Sequence, residues 1–475
     1  MNTEPNYSNM EEVLKLINSK YIALDENQKE YNVRHLLTVL DLLIGIMKAI
    51  DPLFLALYST NYFGGSYYDG LKIEKPNEFD IDLLLSLSTI ICVSCKRRRC
   101  GCVRLCPSNK PGWLWLKIKD GFCPSLKVFM KDGFVETNLV LNWLKGLVYK
   151  ALPKLAEKNV EVKTNYWSES GPALTLMIRG EYGDIDVDLV PSFTFNKGDW
   201  PLGGYIDNPT SKWEFFIVPK YNETQRYWRA SFQAQESILI WGKEKLKPSL
   251  KLLKKMRNSL DHRFLASYFL KTIALNNLKN IKWTGSLSEA FMPLLYEYQE
   301  CLKSGQIPYY WNRKNNLLGM VRKDILENEY NRISKQIRKI EQSYKTDPCI
   351  IASIILTPEE YNVFKNDSQA QMLCGVSQAS LPCPEEASGW VSIFRNLETP
   401  STRDQSNSAS DQEQPSTSTS SGGTSWWQIG TIAAAGLIAG AVGGVLYRAF
   451  REENEELRPE NRPANSRRNS NNQNR

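Results

Sequence analysis

Apolar positions recur every three or four residues through "MEEVLKLINS" and "VRHLLTVLDLLIGIMKAI", and this period predicts helices across residues 10–60 with a break at Pro52. Beyond residue 61 the pattern changes. Alternating and short continuous apolar runs predict strands over Phe79–Leu87, Ala173–Arg179 and Ile185–Val190, around a helix near Leu139–Leu155. From 230 to 345 the helical period returns almost unbroken. The expected architecture is α+β and bilobed: a mixed-sheet lobe over residues 1–225 that opens on a long spine helix, then a helical lobe over 226–397.

Near Glu398 the patterning stops. Residues 398–425, "ETPSTRDQSNSASDQEQPSTSTSSGGTS", hold too few apolar side chains to pack and are expected to be a disordered linker. Residues 426–447, "WWQIGTIAAAGLIAGAVGGVLY", carry no charge. At about 1.5 Å per residue they span ~33 Å, which matches a hydrocarbon core of about 30 Å. Trp426, Trp427 and Tyr447 stand at the two ends, and Gly436, Gly440 and Gly444 share one face, as in a membrane helix able to pair. The N-terminus shows no basic start followed by an apolar core. The expectation is a tail anchor in an intracellular membrane, with both lobes in the cytoplasm and a polar tail over 448–475.

Hydrophobic residues make up 42% of the 475, enough for a sizeable core. The net charge of +7 suits an anionic partner, and basic residues cluster at Lys96–Arg99, Lys243–Arg257 and Arg322–Lys345. Ten cysteines in a chain without a secretory signal read as thiols or metal ligands rather than disulfides.

Candidate chemistry starts in "GGSYYDGLKIEKPNEFDIDLLL". A strand through Glu78, Asp80 and Asp82 puts three carboxylates on one face, above Phe79, Ile81 and Leu83. "GDIDVDLV" does the same with Asp184, Asp186 and Asp188. Like charges on one strand face repel unless something neutralises them. Laid side by side, two such strands would form an oxygen-rich site for Mg²⁺ or Mn²⁺, able to clamp the oxygens of an in-line phosphoryl displacement. The turn at Gly64, Gly65 and Ser66 supplies amides and a hydroxyl suited to a phosphate chain.

Those motifs, followed by "SGPALTLMI", "IDVDLVPSF", "FIVPKYNETQRYWRASFQAQESIL" and "FLASYFLKTIALNN", resemble the nucleotidyltransferase core of cyclic GMP-AMP synthase and the cyclic GMP-AMP synthase-like receptors of animals, over roughly residues 10–380. The resemblance implies a bilobed nucleotidyltransferase fold that joins ATP and GTP into a cyclic dinucleotide when nucleic acid binds. It implies that Glu78, Asp80 and Asp188 hold the catalytic metals and that Gly65 and Ser66 bind the triphosphate. Arg229, Ser231, Gln233, Glu236, Lys254, Ser267, Tyr268 and Lys271 would complete the nucleotide site, Tyr268 by stacking on a base. A homodimer and a downstream cyclic-dinucleotide receptor are further implied partners.

The zinc loop of the DNA-sensing synthase is absent, because Ser237–Leu253 contains neither Cys nor His. Double-stranded RNA is therefore the expected activator rather than DNA, with the basic segment Lys243–Arg257 tracking phosphates. Cys92, Cys95, Cys102, Cys106 and Cys123 form an irregular cluster that would suit zinc, while unliganded thiols are the leading reading.

Overall fold

The computed structural model describes residues 7–87, 103–118, 124–164, 173–220, 225–262 and 264–374. Helix α1 (Glu11–Ile17) runs through a wide turn into α2 (Glu26–Ile50). Asp25 starts α2 by accepting from the Gln28 amide at 2.7 Å. Leu36, Val39, Leu40, Leu43, Ile44 and Met47 form its buried stripe, at the spacing read from the sequence. Asp51 ends it, and the same carboxylate accepts from the Leu53 and Phe54 amides to cap α3 (Pro52–Leu57), with Pro52 in the first turn.

The chain then builds a sheet: β1 (Tyr58–Gly64), a single turn α4 (Gly65–Tyr68), β2 (Glu78–Leu85), β3 (Val103–Pro107), β4 (Leu114–Ile118), β5 (Met130–Lys131) and β6 (Phe134–Val135). Helix α5 (Thr137–Ala156) precedes β7 (Val162–Thr164), β8 (Leu174–Ile178), β9 (Ile185–Phe195), β10 (Phe215–Pro219) and β11 (Trp228–Ser231). Among the described residues these eleven strands join one sheet, with central order β1-β2-β9-β10-β11-β4-β6-β5. Only β2 and β9 pair in parallel there, and their register sets Glu78 beside Asp186 and Asp80 beside Asp188.

Two strands depart from the expected pattern. β1 starts three residues inside the run expected to be helical, at Tyr58; its "YSTNYFG" is rich in aromatic and β-branched residues and finds its partner in β2. β9 continues five residues past the expected end, through Pro191, because Ser192, Phe193, Thr194 and Phe195 still pair with β2 and β10.

The remaining described chain forms α6 (Gln233–Ile240), α7 (Leu246–Ser259), α8 (Ser267–Asn276), α9 (Leu287–Ser304), α10 (Lys323–Ser343) and three short helices, α11 (Ala352–Ile355), α12 (Pro358–Lys365) and α13 (Ser368–Leu373). Ser286 and Glu289 cap α9 reciprocally. A hairpin of β12 (Pro308–Tyr309) and β13 (Asn312–Asn316) interrupts the expected helical run. Its Tyr309 and Trp311 are buried in the core of the sheet, with α2 and α5. Conversely, residues from Tyr7 to Ile22 pack in the core of α7–α10. Each core thus takes a segment from the far side of the chain, and the cleft between them is bridged twice.

Among the described residues no helix is long and apolar enough to cross a membrane. Residues 426–447, with the linker before them and the tail after, lie outside the described residues. So do Cys92, Cys95, Cys102 and Cys123, while Cys106 is a free, half-buried thiol on β3. Cys349 and Cys374 correct the expectation of thiols or metal ligands. Their Cα atoms lie 5.5 Å apart and the sulfurs are bonded.

Leu14 on α1 is fully buried in the helical core. Leu14→Ala should therefore lower stability by about 2–5 kcal/mol, read as a lower urea midpoint with the slope unchanged.

Candidate active site

Gly64 and Gly65 are where backbone makes room for chemistry. Gly64 pairs with Asp80 across β1 and β2, and Gly65 turns the chain with φ +69°. A Cβ on Gly65 would stand 1.7 Å from Asp80 Oδ2, and one on Gly64 would stand 2.3 Å from Gln233 Oε1. Only glycine at both positions leaves those two side chains in place.

Below the turn, β2 and β9 present Glu78, Asp80, Asp82, Asp186 and Asp188 on one face. Burial, then the charges of Asp188 and Glu78, push the Asp80 carboxyl up to about 6. Burial also raises Asp188, against the hydrogen bond it accepts from Thr175, and raises Asp186 beside Glu78 and Asp188. Asp82 is pushed up to about 7 by burial, although Ser192 and Gln233 both donate to it. Asp184 pairs at the surface with Arg179 at 3.4 Å.

The donor set fits a hard divalent cation: paired carboxylates, desolvated and mutually repelling, with neither Asp80 nor Asp188 in an ion pair among the described residues. Glu78 is instead held by Lys72 and Asp188 by Thr175. Among the described residues no three His, Cys, Asp or Glu side chains are drawn together around one point that could hold an ion.

The opposite wall comes from the helices. Lys271 on α8 bonds Asp69 at 2.6 Å and Glu236 at 2.8 Å; Glu236 also accepts from Tyr268 at 2.7 Å and from Trp311 at 3.0 Å. Burial works against the Lys271 charge, but Glu236 and Asp69 outweigh it, so the ammonium holds its proton more tightly than a free lysine does. This knot ties the segment after the glycine turn to both α6 and α8. Lys254 donates to the Leu71 carbonyl at 2.8 Å, and burial, with Arg257 and Lys72 nearby, brings it down to about 8. The Arg229 guanidinium lies 5.6 Å from the Tyr268 ring centre. A base stacked on both faces needs a gap of ~7 Å, twice a carbon contact, so Arg229 must swing outward to admit one.

All thirteen residues assigned to the nucleotide site from the sequence line this one cleft of ≈ 520 Å³. Asp69, Lys72, Arg257 and Tyr309 line it as well and were not anticipated. Asp69 and Lys72 carried one signal, as charges inside the segment between Ser66 and Glu78, and Arg257 another, as the end of the basic segment from Lys243; Tyr309 carried none.

Residues 67–242 match the Mab-21 protein nucleotidyltransferase domain, and 245–339 match the Mab-21 protein HhH/H2TH-like domain. A cyclic GMP-AMP synthase-like receptor of Aethina tumida is 36% identical over 401 residues, covering 79% of this chain and 98% of that protein. The chain belongs to the cyclic GMP-AMP synthase-like receptors. Receptors of the same name from Tribolium castaneum (39% identical, 75% of this chain and 94% of that protein) and Nicrophorus vespilloides (32%, 71% and 94%) agree. Like its family, this receptor is a nucleotidyltransferase, and enzymes with that domain work with Mg²⁺ or Mn²⁺.

The raised Asp80 has a stability consequence for the receptor. Because its carboxyl is harder to ionise when folded, the charge penalises the fold above about pH 6 and not below about pH 4, where it is protonated in both states. Asp80→Asn should thus be about 1–3 kcal/mol more stable than wild type at pH 8 without divalent metal, with the gain gone by pH 4. Thermal unfolding at both pH values checks this.

Proposed function

We propose that this receptor joins ATP and GTP into a cyclic dinucleotide, cyclic GMP-AMP, as an innate-immune signal, and does so when double-stranded RNA binds. The observation that carries the reading is the cleft itself. One wall offers paired carboxylates behind a glycine turn, and the other offers Arg229 over Tyr268 with Lys254 and Lys271 beside them. Phosphoryl transfer asks a protein mainly for positioning and charge neutralisation, and both walls supply these.

Glu78, Asp80 and Asp188 would hold Mg²⁺ or Mn²⁺, which when bound neutralises triphosphate charge and polarises the phosphorus under attack. Lys72 and Lys254 stand beside the carboxylates as partners for phosphate oxygens. Asp188, made a better proton acceptor by burial, takes the proton of the attacking ribose hydroxyl. Pyrophosphate leaves, and a second such step closes the ring, delivering the product to a downstream receptor.

The basic segment Lys243–Arg257 supports RNA sensing in a narrower form than its composition suggests. Lys254, Lys255 and Arg257 turn inward, to the Leu71 carbonyl, Glu360 and the Leu265 carbonyl. Lys247 is exposed and Lys251 half-buried beside Lys29 of α2, and burial, then repulsion from Lys29 and Lys247, lowers Lys251. These three form the phosphate-tracking patch in this reading, on two helices rather than one. The apolar stretch 426–447 anchors the receptor to an intracellular membrane, the lobes facing the cytoplasm.

The full chain incubated with ATP, GTP, Mg²⁺ or Mn²⁺ and double-stranded RNA should yield a cyclic dinucleotide by mass spectrometry. Glu78→Ala with Asp80→Ala should yield none. Nucleotide binding without product under any RNA or DNA activator would leave a membrane-anchored nucleotide-binding adaptor instead.

A further inference from the structure

Asp82 ends the row of carboxylates on β2, yet its register partner on β9 is Val190, so no second carboxylate stands beside it. It is 5% exposed and lines the cleft. Both of its oxygens are engaged: Oδ1 accepts from Ser192 Oγ at 2.8 Å, and Oδ2 accepts from Gln233 Nε2 at 3.1 Å. The second hydrogen of that amide nitrogen goes to Ser231 Oγ at 3.2 Å.

A carboxylate only accepts, whereas a glutamine amide has one accepting end and one donating end. Asp82 therefore decides which end of Gln233 points where. With Nε2 committed to Asp82 and Ser231, the carbonyl oxygen is turned to the Gly64 edge, where even a methyl group on Gly64 would come within 2.3 Å of it. Among the described residues that oxygen accepts no hydrogen bond. Flipping the amide would set its oxygen against the ionised Asp82 carboxylate, acceptor facing acceptor.

We propose that Asp82 is a positioning residue for substrate selection: it holds the Gln233 amide so that the Gln233 carbonyl oxygen faces the cleft and accepts a hydrogen bond from the amino group of a purine nucleotide. This rests on the reading of the cleft as a purine nucleotide site. Ser192, Asp82, Gln233 and Ser231 form one chain of bonds from inside β9 to the base-facing wall, and the two glycines divide the labour: Gly65 gives room to Asp80, and Gly64 to Gln233. A site built to accept a hydrogen bond rejects the analogue that lacks the donor, because its own polar atom is then left unpaired.

The test compares amino and deamino nucleotides on the full chain by titration calorimetry: ATP against purine riboside triphosphate, and GTP against inosine triphosphate. The two pairs separate the adenine 6-amino group from the guanine 2-amino group. Wild type should favour the amino form of one pair about tenfold in Kd. Asp82→Asn, in which the Gln233 amide is free to take either orientation, should bring that ratio within about twofold. Gln233→Met should lose the preference with Asp82 intact, which covers the case where Asp82→Asn does not fold, and the double variant should lose no more than Gln233→Met alone. Equal affinities in wild type, a preference kept by Gln233→Met or by folded Asp82→Asn, or losses that add in the double variant would each overturn the proposal. Turnover measured in parallel keeps the two readings apart: selective binding without product removes the cyclase reading and leaves the selector standing.

Discussion

Asp80 and Asp188 lie side by side on parallel strands, and the rest of the molecule is arranged around that repulsion. Two carboxylates in a half-buried cleft cost free energy that Lys72, engaged with Glu78, and the Thr175 hydroxyl on Asp188 offset only in part, since both carboxyls stay raised. Such a pair persists in a folded chain only where the surrounding structure over-determines it. The fully buried undersides of β2 and β9, from Phe79 through Leu85 and Ile185 through Leu189, do that. The carboxylate row rests on hydrophobic packing on one face of the sheet and is left short of positive charge on the other.

The two-core construction gives that site a second wall. Residues from the N-terminus belong to the helical core, and the Tyr309–Trp311 hairpin belongs to the sheet core, so the lobes are stapled from both directions. At the centre of the joint, Lys271 and Glu236 are buried and Lys271 is ion-paired to both Asp69 and Glu236. Replacing one member of such a network leaves an uncompensated charge behind, so these residues act together in tying the two walls of the cleft. Arg229 lies over the Tyr268 ring in the same wall.

Much of this was legible in the sequence, for definite reasons. Alternation with period two exposed β2 and β9 and sorted their carboxylates from their apolar side chains. The glycine turn and the ordered motifs downstream brought thirteen residues to one cleft. What stayed hidden is what periodicity does not encode. An apolar stripe on residues 10–17 says that a helix is buried, not which core buries it. β1 follows an apolar helix without a polar break, so its period merged with the helix before it. Tyr309 and Trp311 sat in a helical neighbourhood, and only their burial beside Phe232 shows that they serve the sheet. Lys255 looked like a surface cation in a basic run, because composition cannot distinguish a lysine facing water from one facing a carboxylate.

The central claim is that β2 and β9 together make one metal site. Mn²⁺ binding to the full chain, followed by electron paramagnetic resonance in the presence of a non-hydrolysable ATP analogue, tests it most directly. The free Mn²⁺ signal should fall on adding wild type. It should remain when Asp188→Asn, which alters only β9, is added at the same concentration. Equal Mn²⁺ uptake by wild type and Asp188→Asn would show that the parallel register does not build the site.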